Sequence, residues 1–345
     1  MNSKVMIAID AMGGDNAPKM IIAGAEIARK RHLNIHYLLF GDEKKIAPLL
    51  AKRRELRKIC DIHHTDQVIG NDMKLSRALR IGRKSSMGLA IKEVEQEKAG
   101  AVISAGSTGA LMAMAKQLLK TVSGIDRPAI ASFFPTQRSE SVMLDLGANV
   151  ECDVDNLIQF TIMGVTFAKS VLGILKPTVG LLNIGAEEVK GRDVLKNAAV
   201  CLRNTDSSFI YHGFIEGNDI LSGKVDVIVT DGFTGNVALK TAEGTAQFYR
   251  DVIRRSFRSS AMSWLGYLLV RPALHNLQKR LDPRRYNGGV LLGLQGVCVK
   301  SHGGTDAFGF ANAISVAIDL ITNQFNQKID VELNKNKTVL PAVSP

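Results

Sequence analysis

The sequence predicts an α/β protein built on a doubly wound, mostly parallel sheet, and three observations predict it. Short apolar runs alternate along the chain with longer amphipathic stretches. Nearly every run is followed by glycine and then by a helical pattern. The runs lack polar alternation, which suits strands covered on both faces and joined by right-handed crossovers. At 345 residues the chain exceeds what one small core encloses, and 46% hydrophobic with 22% charged residues is the balance of a folded soluble enzyme. Disordered, fibrous and disulfide-stapled miniature classes are excluded.

In chain order the strands are read at Val5–Asp10, Ile35–Gly41, Ala101–Ser104, Ala129–Phe134, Val142–Asp145, Thr178–Ile184, Phe209–Tyr211, Val225–Thr230 and Val297–Lys300. One domain is expected over residues 1–333, with a flexible tail over 334–345. The segment 250–285 breaks the pattern. It carries nine basic residues, Arg254 and Arg258 among them, against two acidic ones, a net +7 out of +11 for the whole chain. Ile253, Phe257, Leu265, Leu268 and Leu269 recur there at helical spacing, and Pro272 marks the start expected for a second helix, with Leu274, Leu277 and Leu281 continuing the stripe. A projecting basic, amphipathic helical hairpin is the expectation.

The charge argues for an acidic partner: nucleic acid, anionic lipid, an acidic protein or a phosphorylated substrate. Basic residues clustered with aliphatics in one hairpin, without a stacking-aromatic pattern elsewhere, speak against nucleic acid. Cys60, Cys152, Cys201 and Cys298 lie far apart and read as buried small hydrophobes in a reducing compartment. His63 and His64 lack partners at metal spacing. The first apolar stretch is cut by Asp10, and no run approaches the roughly eighteen residues of a spanning helix. A cytoplasmic protein is expected.

In open parallel sheets ligands bind beyond the carboxyl ends of the strands. Four Gly-rich turns stand at such ends: Asp10 to Pro18 with Gly13 and Gly14, Ser104 to Ala110 with Gly106, Ser107, Thr108 and Gly109, Asp231 to Asn236 with Thr234 and Gly235, and Ser301 to Asp306 with His302. Glycine lets backbone approach an anion closely, and helix starts favour phosphate, so four turns converging on one edge suggest an anionic ligand. Each alone is also ordinary helix capping. Arg83 and Lys84 beside Ser85 and Ser86 at a helix start suit phosphate as well. Lys190 stands at a strand end bracketed by Gly185 and Gly191. Neither a P-loop nor a GxGxxG after the first strand is present, and no nucleophile, base and orienter set appears. A bound phosphate could itself be the nucleophile, since it needs positioning and charge compensation more than a strong base.

The blocks Ile9 to Asp15, Ser85-Ser86-Met87, Ser104 to Ala110, Gly124-Ile125-Asp126-Arg127-Pro128, Leu146-Gly147-Ala148-Asn149 and Asp231 to Asn236 together closely resemble the PlsX family, the bacterial phosphate acyltransferases. The likeness runs from the first strand through Gly303. It implies reversible transfer of a fatty acyl group from acyl carrier protein to inorganic phosphate, giving acyl phosphate for phospholipid synthesis. A fold similar to isocitrate/isopropylmalate dehydrogenase and phosphotransacetylase, a homodimer, and no metal or nucleotide cofactor are also implied. By position, Lys190 matches the family's lysine before Gly191 and Asn236 its asparagine closing the Phe233-Thr234-Gly235-Asn236 turn, and these two are the catalytic candidates. Some relatives carry asparagine at the place of Ser107, and threonine or glutamate at that of Ala186. The hairpin resembles the family's dimer projection, whose apolar tip, with Trp264, Leu265, Leu268 and Leu269, can rest on an anionic bilayer near the downstream membrane glycerol-3-phosphate acyltransferase. The competing expectation is that the stripe is dimer core. Two rival functions are a dehydrogenase sharing the fold and a non-enzymatic membrane-surface adaptor.

Overall fold

The computed structural model describes residues 4–70, 72–203, 208–280 and 282–335. In chain order the elements are β1 (Val5–Asp10), α1 (Lys19–Arg31), β2 (Ile35–Gly41), α2 (Glu43–Ala51), α3 (Arg54–Arg57), β3 (Cys60–His64), α4 (Leu75–Ile81), α5 (Ser86–Glu95), β4 (Ala101–Ser104) and α6 (Thr108–Leu119). They continue with β5 (Ala129–Pro135), β6 (Glu140–Leu144), α7 (Val154–Phe167), β7 (Thr178–Leu182), α8 (Asp193–Arg203), β8 (Ile210–Ile215), β9 (Val227–Val229), α9 (Gly232–Ser256) and α10 (Ala261–Arg280). Strands β10 (Gly289–Leu292) and β11 (Val297–Lys300) and helices α11 (Ala307–Thr322) and α12 (Phe325–Lys335) complete the described elements.

All the strands form one sheet in the order β3-β2-β1-β4-β11-β10-β5-β6-β9-β7-β8. It holds two parallel blocks that run in opposite directions. β3, β2, β1, β4 and β11 are mutually parallel, as are β6, β9, β7 and β8. β10 pairs antiparallel with both neighbours, and the β5–β6 hairpin is antiparallel as well. That hairpin turns on Thr136, whose N–H donates to the Ser139 carbonyl (2.9 Å) and whose hydroxyl accepts from the Ser139 N–H (3.0 Å). It reverses the chain without a crossover helix, so the second block points the other way.

Alternation along the strands divides two apolar cores between the two faces. Ile7, Ile9, Ile103, Val299, Leu144 and Val229 point toward α1, α7 and α11, where Phe160, Phe167, Phe310 and Ile314 are buried. Ala8, Val102, Cys298, Met143 and Ile228 point the other way, toward Met87 and Ile91 of α5 and Leu111 and Met114 of α6. Ala238, Leu239 and Ala242 of α9 lie over this second core. Asp10, Ser104 and Lys300 each follow a residue of the second core by two positions, so all three point to that face at the carboxyl ends of β1, β4 and β11.

Several expectations change. The hairpin's first helix does not start near residue 250: α9 begins at Gly232, directly after the Asp231 turn, and runs to Ser256. The second helix starts at Ala261 instead of Pro272, and Pro272 lies inside α10. The side chains of Ser260 and Ser263 and the Ser263 N–H close the start of α10, with Ser260 Oγ accepting that N–H at 3.0 Å. Of the cysteines, Cys60 and Cys298 are buried, Cys152 is half-buried and Cys201 is exposed on α8, because it falls on that helix's outer face. Residues 334 and 335 continue α12, while 336–345 of the expected tail, Leu281, and the side chain of Leu277 lie outside the described residues.

Candidate active site

The Gly-rich turns form two clusters instead of one edge, because β9 belongs to the block that runs opposite to β1, β4 and β11. In the first cluster Asp10 is buried beneath the turns. Its carboxylate accepts from Ser104 Oγ (2.7 Å) and the Met12 N–H (3.3 Å), and Ser104 Oγ accepts from the Gly106 N–H (3.0 Å). Burial pushes the Asp10 carboxyl above its ordinary range, and the nearby Ser86 hydroxyl together with hydrogen bonds from Ser104, Met12 and Gly13 opposes that rise. Ser86 Oγ, fully buried, lies near that carboxylate but short of a well-formed hydrogen bond. Asp10 therefore organises the loops from below. A Cβ on Gly13 would sit 2.5 Å from Asp10 Oδ2 and 2.7 Å from the Gly106 nitrogen, so only glycine lets these strands' turns close on one another.

Gly14, at φ +96°, lies against Ala105 and the Gly303 carbonyl, and the Asp15 N–H donates to that carbonyl at 3.0 Å. The Ser301 N–H donates to the Ser104 carbonyl (2.9 Å), completing the stitch between the three turns. Ser85 is spent on capping: its hydroxyl accepts from the Gly88 N–H (3.2 Å) and donates to the Gly82 carbonyl (2.6 Å). Arg83 and Lys84 stand exposed beside it. α6 opens differently, since the Ser107 side chain makes no cap and Thr108 and Gly109 are exposed. Its first N–H groups are left available to an anion. His302 is exposed, with its N–H on Asn287 Oδ1 (2.9 Å) and its Nδ1 accepting from the Gly304 N–H (3.2 Å). Lys300, which motif reading passed over, points into this cluster and donates to the Ser301 carbonyl.

The second cluster gathers the ends of β6, β7 and β9. Asp145, fully buried, accepts from the N–H groups of Ile130 (2.9 Å), Ala148 (3.0 Å) and Asn149 (2.6 Å) and from Asn149 Nδ2 (3.0 Å). Burial again raises the carboxyl, against those hydrogen bonds. Asp231 caps α9 by accepting from the Thr234 N–H (2.8 Å), and its other oxygen pairs with Arg192. Gly232 and Gly235 are buried, and a Cβ on Gly235 would lie 1.9 Å from the Asp145 carbonyl oxygen, so glycine is needed where α9 starts against the β6 turn. Thr234 is half-buried and Asn236 exposed, the latter packed over Gly147. Lys190 is exposed in the turn after β7, 2.9 Å from Glu187, which raises its pKa by hydrogen bonding and charge. Asn183 Nδ2 donates to the Lys190 carbonyl at 3.0 Å, fixing the turn that carries it.

The expected residues thus separate. Gly13, Gly14, Ser86, Gly106, Ser107, Thr108, Gly109 and His302 gather around Asp10, whereas Lys190, Thr234, Gly235 and Asn236 belong with Asp145 and Asp231. α9 links the two sets: Lys240, one helical turn beyond Asn236, lies near enough to Lys300 for their charges to interact. Lys300, Asp145, Asn183 and Arg192 join the candidate site from the structure. The described hairpin tip residues Trp264, Leu265, Leu268 and Leu269 are all exposed, from 42% at Leu268 to 80% at Leu269. Its internal aromatic contact is Phe257 on Tyr267, with ring centroids 5.6 Å apart.

Comparison with known proteins adds independent findings. The chain is 58% identical over 344 residues to a protein of Rhodospirillum centenum named phosphate acyltransferase, covering 100% of this chain and 97% of that one. A protein of the same name from Rhodospirillum rubrum is 53% identical over 344 residues, covering 100% and 99%. Among solved structures, a phosphotransacetylase from Streptococcus pyogenes superposes with TM-score 0.61 at 14% identity, covering 92% of this chain and 94% of that one. EutD phosphotransacetylase from Staphylococcus aureus gives 0.57 at 17% identity, with the same coverage. The phosphotransacetylase part of the fold expectation holds. A family model described as "Fatty acid synthesis protein" matches residues 5–328, and with relatives this similar over their full length the chain belongs to that family.

Proposed function

We propose that this acyltransferase of the fatty acid synthesis family takes a fatty acyl group from acyl carrier protein and passes it, reversibly, to inorganic phosphate, yielding acyl phosphate for phosphatidic acid synthesis. Whole-chain identity of 58% to a phosphate acyltransferase carries the reading. A phosphate oxygen attacks the thioester carbonyl, the C–O bond forms, the C–S bond breaks, and the proton of hydrogen phosphate passes to the departing carrier thiolate. No protein nucleophile is required. The chemistry asks for an anion cradle, charge compensation and a donor at the developing oxyanion. Asn236, exposed at the start of α9, is suited to donate to the thioester oxygen, and Lys190 to compensate its charge.

With carrier-linked acyl donor and phosphate, and without NAD or divalent metal, the wild-type chain should form acyl phosphate. Lys190→Ala and Asn236→Ala should each lower kcat by roughly 100-fold or more, the scale of losing one oxyanion donor. Folded variants of both with undiminished turnover would remove these two roles. Acyl phosphate formation in that assay also separates the acyltransferase from a membrane adaptor and from a dehydrogenase.

The hairpin supports the rest of the reading: a homodimer that makes peripheral contact with anionic membrane, close to the membrane glycerol-3-phosphate acyltransferase that would consume the product. The exposed Trp264, Leu265, Leu268 and Leu269 beside Arg254 and Arg258 favour this contact. Among the described residues no helix is long and apolar enough to cross a membrane.

A further inference from the structure

Register across three strands produces a feature that no sequence motif announces. Lys300 on β11 is the direct partner of Ser104 on β4, and Ser104 Oγ donates to Asp10 at the end of β1. Neighbouring positions in parallel strands point to the same face. A carboxylate, a hydroxyl and an ammonium therefore form one row across the carboxyl ends of β1, β4 and β11. The row caps the second apolar core, where α5 and α6 begin.

We propose that Lys300 is the cation that holds inorganic phosphate in the first cluster, where α9 brings Lys240 within charge range of Lys300 and so links the phosphate to the thioester held by Lys190 and Asn236 in the second. Four observations converge on it. Lys300 is largely buried, and a buried charge is retained where something must pair with it. Among the described residues its ammonium has one hydrogen-bond acceptor, the Ser301 carbonyl, out of three donors it can offer. Next to the Asp10 carboxylate, Ser86 Oγ is buried without a well-formed hydrogen bond. The first N–H groups of α6 are uncapped by Ser107 in the same cluster. The charged groups that bear on Lys300 are Asp10 of β1, Asp15 of the following turn and Lys240 of α9; α6 has no ionisable side chain in its first two turns, and β10 presents Gly289. Burial and Lys240 outweigh the two carboxylates and lower the amine's pKa to about 8. A phosphate dianion would supply the missing counter-charge and hold the proton on.

The inference rests on the acyl-phosphate reading, and its test separates the two. In the full chain, Lys300→Met should raise the KM for phosphate roughly 10- to 100-fold, the scale of a charge-assisted hydrogen bond, with the KM for the acyl donor unchanged and Lys300→Arg recovering part of the loss. Independently of turnover, inorganic phosphate should raise the unfolding temperature of the wild type and of Lys300→Arg more than that of Lys300→Met. A folded Lys300→Met with wild-type phosphate KM and wild-type phosphate stabilisation overturns the proposal, even if the enzyme transfers acyl groups to phosphate. If Lys300→Met does not fold, wild-type protein carries the test. Its phosphate affinity should fall as pH rises from about 7.5 to about 9.5, as the amine loses its proton, and a flat profile overturns the assignment. Failure of wild-type acyl transfer to phosphate, in contrast, would sink the parent reading alone, since the binding measurements stand without it.

Discussion

Lys190 and Lys300 are both lysines at strand ends, and their surroundings separate their behaviour. Lys190 is exposed and held by Glu187, so its charge persists and its role depends on the turn that Asn183 fixes. Lys300 is largely buried, and folding shifts its pKa downward to about 8 from an ordinary 10.5. Between those values the unfolded chain binds more protons at this site than the folded one, so the contribution of Lys300 to stability rises with pH across that window. Without phosphate, Lys300→Met should be more stable than wild type below about pH 8, because no charge is buried, and its lead should shrink as pH climbs toward 10. Urea unfolding at a series of pH values measures this, and a lead that is constant or grows with pH contradicts it. The contrast also shows why the site was only partly legible. Gly13 and Gly235 stand out because backbone crowding admits nothing else, and such crowding leaves motifs. Lys300 ends an ordinary apolar run, and Asp145 follows another; only strand register and burial reveal what they face.

α9 serves two purposes within one helix. Its first turn, capped by Asp231 and packed through Gly232 and Gly235, belongs to the site, and its last turns carry Arg254 and Arg255 away from the body. If the hairpin meets anionic lipid, each arginine near the surface contributes about 1 kcal/mol. Arg254→Glu with Arg258→Glu should then weaken association with anionic vesicles by about tenfold or more, and reduce the blue shift of Trp264, the chain's only tryptophan. Unchanged vesicle affinity in this pair would count against lipid contact. At this scale the sequence spoke through apolar runs. The bounds of β1, β2, β4 and β11 were readable because buried strands are continuous stretches of such residues. β3 escaped because an edge strand with Asp61, His63 and His64 reads as polar, and β10 because it joins β11 through a short turn with no helical stretch between them. Pro272 misled because a proline inside an exposed helix can leave the lost hydrogen bond to water. The reversal of the second block was invisible, since Thr136 to Ser139 carries no glycine or proline to announce a hairpin.

For the whole molecule, what matters is how unevenly the packing is distributed. Both apolar cores lie within the eleven-stranded sheet and its covering helices. Beyond Ala242, by contrast, α9 has no buried side chain, and neither do the described side chains of α10. Nearly two-thirds of the chain's excess charge, +7 of +11, sits in residues 250–285, which include most of this weakly packed region. Segments with few buried contacts open at low free energy, whereas the core opens only on global unfolding. Amide exchange should therefore be slowest in β1, β4, β11, β7 and β9 and fastest in 250–275 when the chain is alone. The hairpin's behaviour then reports what covers it. If its apolar stripe is the core of a homodimer, these amides should be protected in lipid-free solution, in a manner that strengthens with protein concentration. If the stripe rests on a bilayer, protection should appear only when anionic vesicles are added and should weaken as salt screens the arginines. A homodimer that also touches membrane would protect residues near 245–257 in solution and those near 262–270 only on vesicles. Slow exchange throughout 250–275 in lipid-free protein diluted until it is monomeric would defeat both forms of contact as the source of protection, since it would mean that the hairpin is stable by itself.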